Sequence, residues 1–190
     1  CGSESDNMAI FGAVERLGRD TTIITTRVEH PAVLQPCREL RDRGYRVIEV
    51  GVMADGTLDI DAYSAALATP GPKFVSMMWA NNETGVVQPV ESIAATCEEY
   101  EIPFHCDGVQ AVAWLPEPAR WRRRKSSLAI SAHKFGGPVG LGALVVNGVT
   151  PRPLFHGGGQ ENDVRSGTVA TVLTASAAAA RHETASNRSI

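Results

Sequence analysis

The sequence predicts an α/β domain whose sheet is mostly parallel and covered by helices on both faces. Two observations lead there. Short apolar or β-branched runs alternate with stretches of helical periodicity along the chain, and parallel strands need a helical crossover between them. The 190 residues are 43% hydrophobic, which suits one sizeable core and one domain.

The elements follow in order. Met8, Ile10, Phe11, Val14 and Leu17 share a helical face after a turn at Gly2 and Ser3. Thr22-Ile23-Ile24-Thr25-Thr26-Arg27-Val28 is a β-branched strand. Pro31 opens a helix carrying Val33, Leu34, Cys37 and Leu40 that stops at Gly44, with Pro36 weakening its first turn. Residues 45–50 form a strand, Asp61 caps a short helix ending at Leu67, and residues 74–79 form another strand. Residues 90–100 are helical, with Ile93, Ala94 and Cys97 facing inward, and Phe104-His105-Cys106-Asp107 then enters the sheet. Strands are expected at 128–131 and 143–146, the second antiparallel because the link between them is short. An alanine-rich helix covers 170–180, so residues 1–181 form the domain and 182–190 a tail without apolar periodicity. The opening turn lacks a preceding strand, so the domain is expected to be incomplete at both ends.

Charge and composition exclude several classes. A net charge of −3 provides no global field for nucleic acid, and the one basic run, Arg122-Arg123-Arg124-Lys125 after Trp121, reads as a solvated loop. No apolar run reaches the roughly 18 residues that span a bilayer, and no secretory signal opens the chain. A cytoplasmic protein without membrane contact is the expectation. Cys1, Cys37, Cys97 and Cys106 are scattered without a CxxC pair, which speaks against a zinc site or a disulfide framework; no metal is expected.

Chemistry concentrates around Ser131-Ala132-His133-Lys134-Phe135-Gly136-Gly137, where one lysine lies between an apolar strand and a glycine-rich turn. A crowded, dry setting there would make Lys134 a Schiff-base nucleophile, although a surface lysine beside a turn has the same pattern. Asp107, at a strand end, can hold a ring nitrogen protonated, and Gln110 can offer its amide to the same ring. The same spacing fits Asp107 as a cap and Gln110 as surface. Gly2-Ser3-Glu4-Ser5-Asp6-Asn7 precedes a helix, where free N–H groups favour a phosphate or a simple cap. His30, before Pro31, can stack on a ring or serve as a structural hydrogen-bonder. Asn81-Asn82-Glu83-Thr84-Gly85 follows a strand and is either a source of amides or a plain turn. The glycine run 157–159, with Arg165-Ser166-Gly167-Thr168, is either a second anion site or a mobile loop.

Taken in order, these six segments resemble the cysteine desulfurases, enzymes of class V aminotransferase fold that use pyridoxal 5'-phosphate (PLP). The resemblance spans nearly the whole chain. It implies the large domain of the PLP-dependent transferases of fold type I. It further implies that Lys134 carries the cofactor, Asp107 pairs with the pyridine nitrogen, and Gln110 and Asn82 contact the ring side, while His30 stacks on the ring and counts with Lys134 as catalytic. Gly2, Ser3, Ser131 and His133 match phosphate-binding positions, and Thr168 matches a threonine that reaches a neighbouring subunit's phosphate in a homodimer. The implied reaction removes sulfur from L-cysteine, leaving alanine and a persulfide for iron–sulfur cluster assembly or another acceptor protein.

Two departures qualify the resemblance. None of the four cysteines matches the family's nucleophile, and strand alternation turns Cys106 away from the face of Asp107. The stretch 117–127 is more basic than the family pattern. Selenocysteine lyase is the near alternative, and a non-catalytic fragment that keeps only the scaffold is the distant one.

Overall fold

The computed structural model describes residues 1–116, 125–148 and 150–186. The stretch 117–124, with Trp121 and the three arginines of the basic run, lies outside the described residues. The chain forms α1 (Gly2–Leu17), β1 (Thr22–Thr26), α2 (Pro31–Asp42), β2 (Arg46–Val50), α3 (Ile60–Leu67), β3 (Lys73–Met78), α4 (Val90–Glu99), β4 (Phe104–Asp107), β5 (Ser126–Ser131), a 3-10 turn (Ala132–Phe135), β6 (Gly142–Asn147) and α5 (Thr171–Ser186). The sheet order is β2-β1-β3-β4-β5-β6. All neighbours pair in parallel except β5 and β6.

Strand alternation divides the core into two layers. Ile23 and Phe74 face α1 and α2, packing with Ile10, Val14, Val33, Cys37 and Leu40. The next residues along, Ile24 and Val75, face the other way with Met77 and Cys106, against Tyr63 and Ala66 of α3 and Ile93 and Cys97 of α4. Helices therefore cover both faces, as the sequence pattern predicts.

Three boundaries differ from the sequence reading. Helix α1 begins at Gly2, so the expected Gly2-Ser3 turn is its first turn; Glu4 there complements the positive helix end. Asp59, rather than Asp61, caps α3, its Oδ1 accepting the Ala62 N–H at 2.9 Å. Helix α5 continues to Ser186, beyond the expected boundary at 181, and the Thr184 hydroxyl anchors it by donating to the Phe135 carbonyl at 3.0 Å.

Gly12 sets how closely α1 can lie on the segment after β6. A Cβ there would come within 2.5 Å of Pro151 Cβ and 2.6 Å of the Arg152 carbonyl oxygen, and the Gly12 carbonyl accepts the Arg152 N–H at 3.0 Å. Gly12→Ala must push backbone from backbone. It is expected to lower stability by roughly 1–3 kcal/mol, read by urea unfolding.

Candidate functional site

Because β1, β3, β4 and β5 are parallel, their C-terminal ends share one sheet edge, the usual ligand edge of an open α/β sheet. The segments that follow them bring His30, Asn82, Asp107, Gln110, Ser131, His133 and Lys134 to that edge. The N-terminus of α1 joins them. A Cβ on Gly2 would meet Val109 Cγ2 at 2.8 Å and Ser131 Cβ at 3.4 Å, so only glycine lets the helix end sit between the β4 and β5 loops. Gly2 is buried and Ser3 exposed. Their N–H groups lie in the first turn, where no helical acceptor precedes them.

Asp107 takes the capping role that the sequence also allowed: its Oδ1 accepts the Val109 N–H at 2.9 Å. Gln110, one residue further on, is half-buried. Ser131 Oγ and His133 Nδ1 lie 2.9 Å apart and form a polar pair beside Gly2. His30 caps α2, its Nδ1 accepting the Ala32 N–H at 3.1 Å, which leaves the ring proton on Nε2. Asn81, rather than Asn82, builds its turn: its amide donates to the Val28 carbonyl at 2.9 Å and its Oδ1 accepts the Glu83 and Thr84 N–H groups. Asn82 is exposed.

Lys134 stands on the 3-10 turn and is exposed, so the dry setting expected for it is not supplied by the described residues. The chain has two other lysines, Lys73 and Lys125. Lys73 begins β3 and donates to the Gly71 carbonyl at 2.9 Å; Lys125 immediately precedes β5 and donates to the Glu101 carbonyl at 3.2 Å. Both lie at the N-terminal edge. Lys134 alone serves the edge that carries Asp107.

The electrostatics reveal residues the sequence reading passed over. Burial pushes the Asp107 carboxyl up to about 7, and the neighbouring Asp6 carboxylate adds to the rise, against the Val109 hydrogen bond and His105. Burial pushes Glu29 up to about 8. Its Oε1 accepts the Thr26 hydroxyl at 2.7 Å and the Met78 N–H at 2.9 Å. Asp6, fully inside, holds His105 Nε2 at 3.1 Å, and His105 Nδ1 lies 2.9 Å from Ser127 Oγ. Adjacency could have found them: Glu29 precedes His30, Asp6 lies in the opening polar segment, and His105 is two residues from Asp107 on the same strand face.

Thr168 lines a cleft of about 650 Å³ with Cys1, Glu4, Leu141, Arg165 and Leu173, whose walls include the Arg165–Glu4 ion pair at 2.7 Å. None of His30, Asn82, Asp107, Gln110 or Lys134 lines that cleft. The converging polar groups, rather than the larger cleft, mark the site.

The aminotransferase class-V family model matches residues 1–180. A cysteine desulfurase of Gluconacetobacter diazotrophicus is 49% identical over 169 residues, covering 88% of this chain and 42% of that protein. The structure of a NifS-like protein superposes with a TM-score of 0.92 at 36% identity, covering all of this chain and 52% of that one. A structure titled SspA in complex with cysteine superposes with a TM-score of 0.82 at 33% identity, over 95% of this chain and 53% of that one. The chain thus spans about two-fifths of the length of the curated relative and about half of each solved chain.

Proposed function

We propose, because this chain belongs to the class-V aminotransferase family and matches cysteine desulfurases within it, that it is the PLP-binding core of a cysteine desulfurase. The single observation that carries the reading is the shared edge. A lysine amine, a buried carboxylate and a helix N-terminus meet there, which are the three groups a phosphorylated pyridine aldehyde requires.

The residues present fit that cofactor. The close approach of Gly2 to Ser131 leaves the first N–H groups of α1, the exposed Ser3 hydroxyl and the Ser131–His133 pair as a phosphate cradle. Asp107 gives one oxygen to the Val109 N–H and keeps the other for a ring N–H. His30, fixed through Nδ1 at the start of α2, offers its ring face for stacking, while Gln110 and Asn82 offer amides to the ring substituents. PLP, when bound, supplies the electron sink for cleavage at the substrate's α and β carbons. Lys134 Nζ would hold the cofactor, and the same amine would move the α-proton of L-cysteine. Thr168, in the cleft beside Cys1 and Glu4, would serve a neighbouring subunit's phosphate in a homodimer.

Sulfur leaves to a thiol other than three of the four in this chain. Cys37, Cys97 and Cys106 are buried, and burial pushes their thiols to about 12, about 11 and well above the usual range. None supplies a thiolate. The substrate is L-cysteine, with L-selenocysteine the alternative, and an acceptor protein takes the persulfide sulfur onward.

The test is direct. The chain titrated with PLP is expected to develop an absorbance band near the visible edge, and with L-cysteine and an added thiol to release sulfide and alanine in equal amounts. Bound PLP without turnover would support a scaffold that lacks the chemistry. Absence of the band would overturn the cofactor assignment.

A further inference from the structure

Beneath Asp107 lies a buried polar group with no role in the chemistry above. His105 and Asp107 are two residues apart on β4 and so project to the same face, the face covered by α1. His105 stands in register with Ser76 on β3 and Ser127 on β5. Its side chain is fully buried, and the Asp6 carboxylate reaches down from α1 to its Nε2. Three carboxylates thus crowd one dry region: Asp6 from α1, Glu29 from the link between β1 and α2, and Asp107 itself. Ser76 and Ser127 are uncharged, Cys106 points to the opposite layer, and His133 and Lys134 lie exposed on the turn beyond β5.

We propose that Asp6 and His105 are positioning residues for Asp107: the imidazole, clamped between the Asp6 carboxylate and the Ser127 hydroxyl, supplies the positive charge that lets the Asp107 carboxylate stay ionised on a buried face. The clamp suits the task. An ionised Asp6 only accepts, so Nε2 carries a proton in either charge state of the ring. The Ser127 hydroxyl can donate to a bare Nδ1 or accept from a protonated one, so the ring gains a proton without losing a bond. One imidazolium between the Asp6 and Asp107 carboxylates leaves the three groups with a net charge of −1 rather than −2. Two carboxylates without that cation would face the full desolvation cost of a second buried charge. The direction of the electrostatics agrees: Asp6 raises the Asp107 carboxyl and His105 lowers it.

The inference rests on the assignment of Asp107 to the ring nitrogen, but its test does not need the cofactor. In the chain labelled with ¹³C at the aspartate carboxyls, the Asp107 resonance is identified by its loss in Asp107→Asn. His105→Gln keeps hydrogen-bonding groups toward Asp6 and Ser127 and removes only the charge. It is expected to raise the Asp107 titration midpoint by about one pH unit, a tenfold change in proton affinity. Coupling is reciprocal, so Asp107→Asn must lower the protonated fraction of the His105 ring at fixed pH, read from its ¹⁵N shifts. This second variant carries the test if His105→Gln fails to fold. An unchanged Asp107 midpoint in folded His105→Gln, or an unchanged His105 ring in Asp107→Asn, would overturn the inference and leave the clamp purely structural. Failure of the wild-type chain to bind PLP would overturn the functional reading instead, with the titrations unaffected.

Discussion

Lys134→Ala is expected to remove all covalently held PLP while leaving the fold intact. The chain contains only three lysines, so the assignment has few rivals. Lys73 and Lys125 begin or precede their strands and are occupied with backbone carbonyls at the opposite edge, about a strand length from Asp107. Borohydride reduction of the PLP-loaded chain, followed by peptide mass analysis, should place the whole label on the peptide containing Lys134 and none on the other two. Because Lys134 is exposed on a short turn, its truncation should change unfolding free energy by no more than about 0.5 kcal/mol. Label persisting in Lys134→Ala would show that the amine is a surface lysine beside a glycine turn, the alternative its sequence context also allows.

The second large effect is a stability that declines as pH rises through neutrality. Glu29 has a carboxyl raised from its ordinary 4.5 to about 8, so the folded chain holds a proton that the unfolded chain releases. With more protons bound in the folded state, stability is fully present below about 4.5, declines as pH rises through the interval, and levels off above about 8. The slope is about 1.4 kcal/mol per pH unit for one such group. Asp107 acts with the same sign and levels off above about pH 7. The thiols of Cys37 and Cys97 are raised from an ordinary 9.0, so their linkage lies above the window. Between about pH 7 and 8, Glu29 therefore gives the larger share of the slope and Asp107 the smaller. Urea midpoints of the wild-type chain should fall across that unit, and Glu29→Gln, neutral at every pH and matched in shape, should flatten the decline. A wild-type chain equally stable at pH 7 and 8 would mean that Glu29 is ionised within the fold.

The positions along the chain differ in how far sequence alone could read them. The strands are legible because runs such as Thr22 to Thr26 and Phe74 to Met78 combine β-branched or apolar residues with turn residues on either side. Cys106 could be assigned to the layer away from Asp107 by period two alone, and it lies in the layer with α3 and α4. The capping role of Asp59 was hidden because Asp61 offers the same chemistry two residues later, and only the path of the backbone chooses between them. The start of α1 was misplaced for a related reason. Glycine and serine describe a turn in isolation, but packing of Gly2 on Val109 and Ser131 stabilises a helical first turn.

Side-chain environments were the least legible. Lys134 was expected in dry surroundings because its neighbours are apolar and small, but exposure depends on what packs over the turn, and nothing in a local window records that. Asp6 and His105 are 99 residues apart, and no periodicity links them.

What the sequence by itself determined is the alternation that builds a parallel sheet and the order of polar segments along it, since both are local and repeat with the period of strand or helix. Only the tertiary structure decided which of those segments meet. Parallel strands deliver every βα loop to one edge, and burial then turns ordinary carboxylates such as Glu29 and Asp107 into groups that titrate near neutrality, because desolvation and nearby charge belong to the assembled fold and not to any residue's neighbours in sequence.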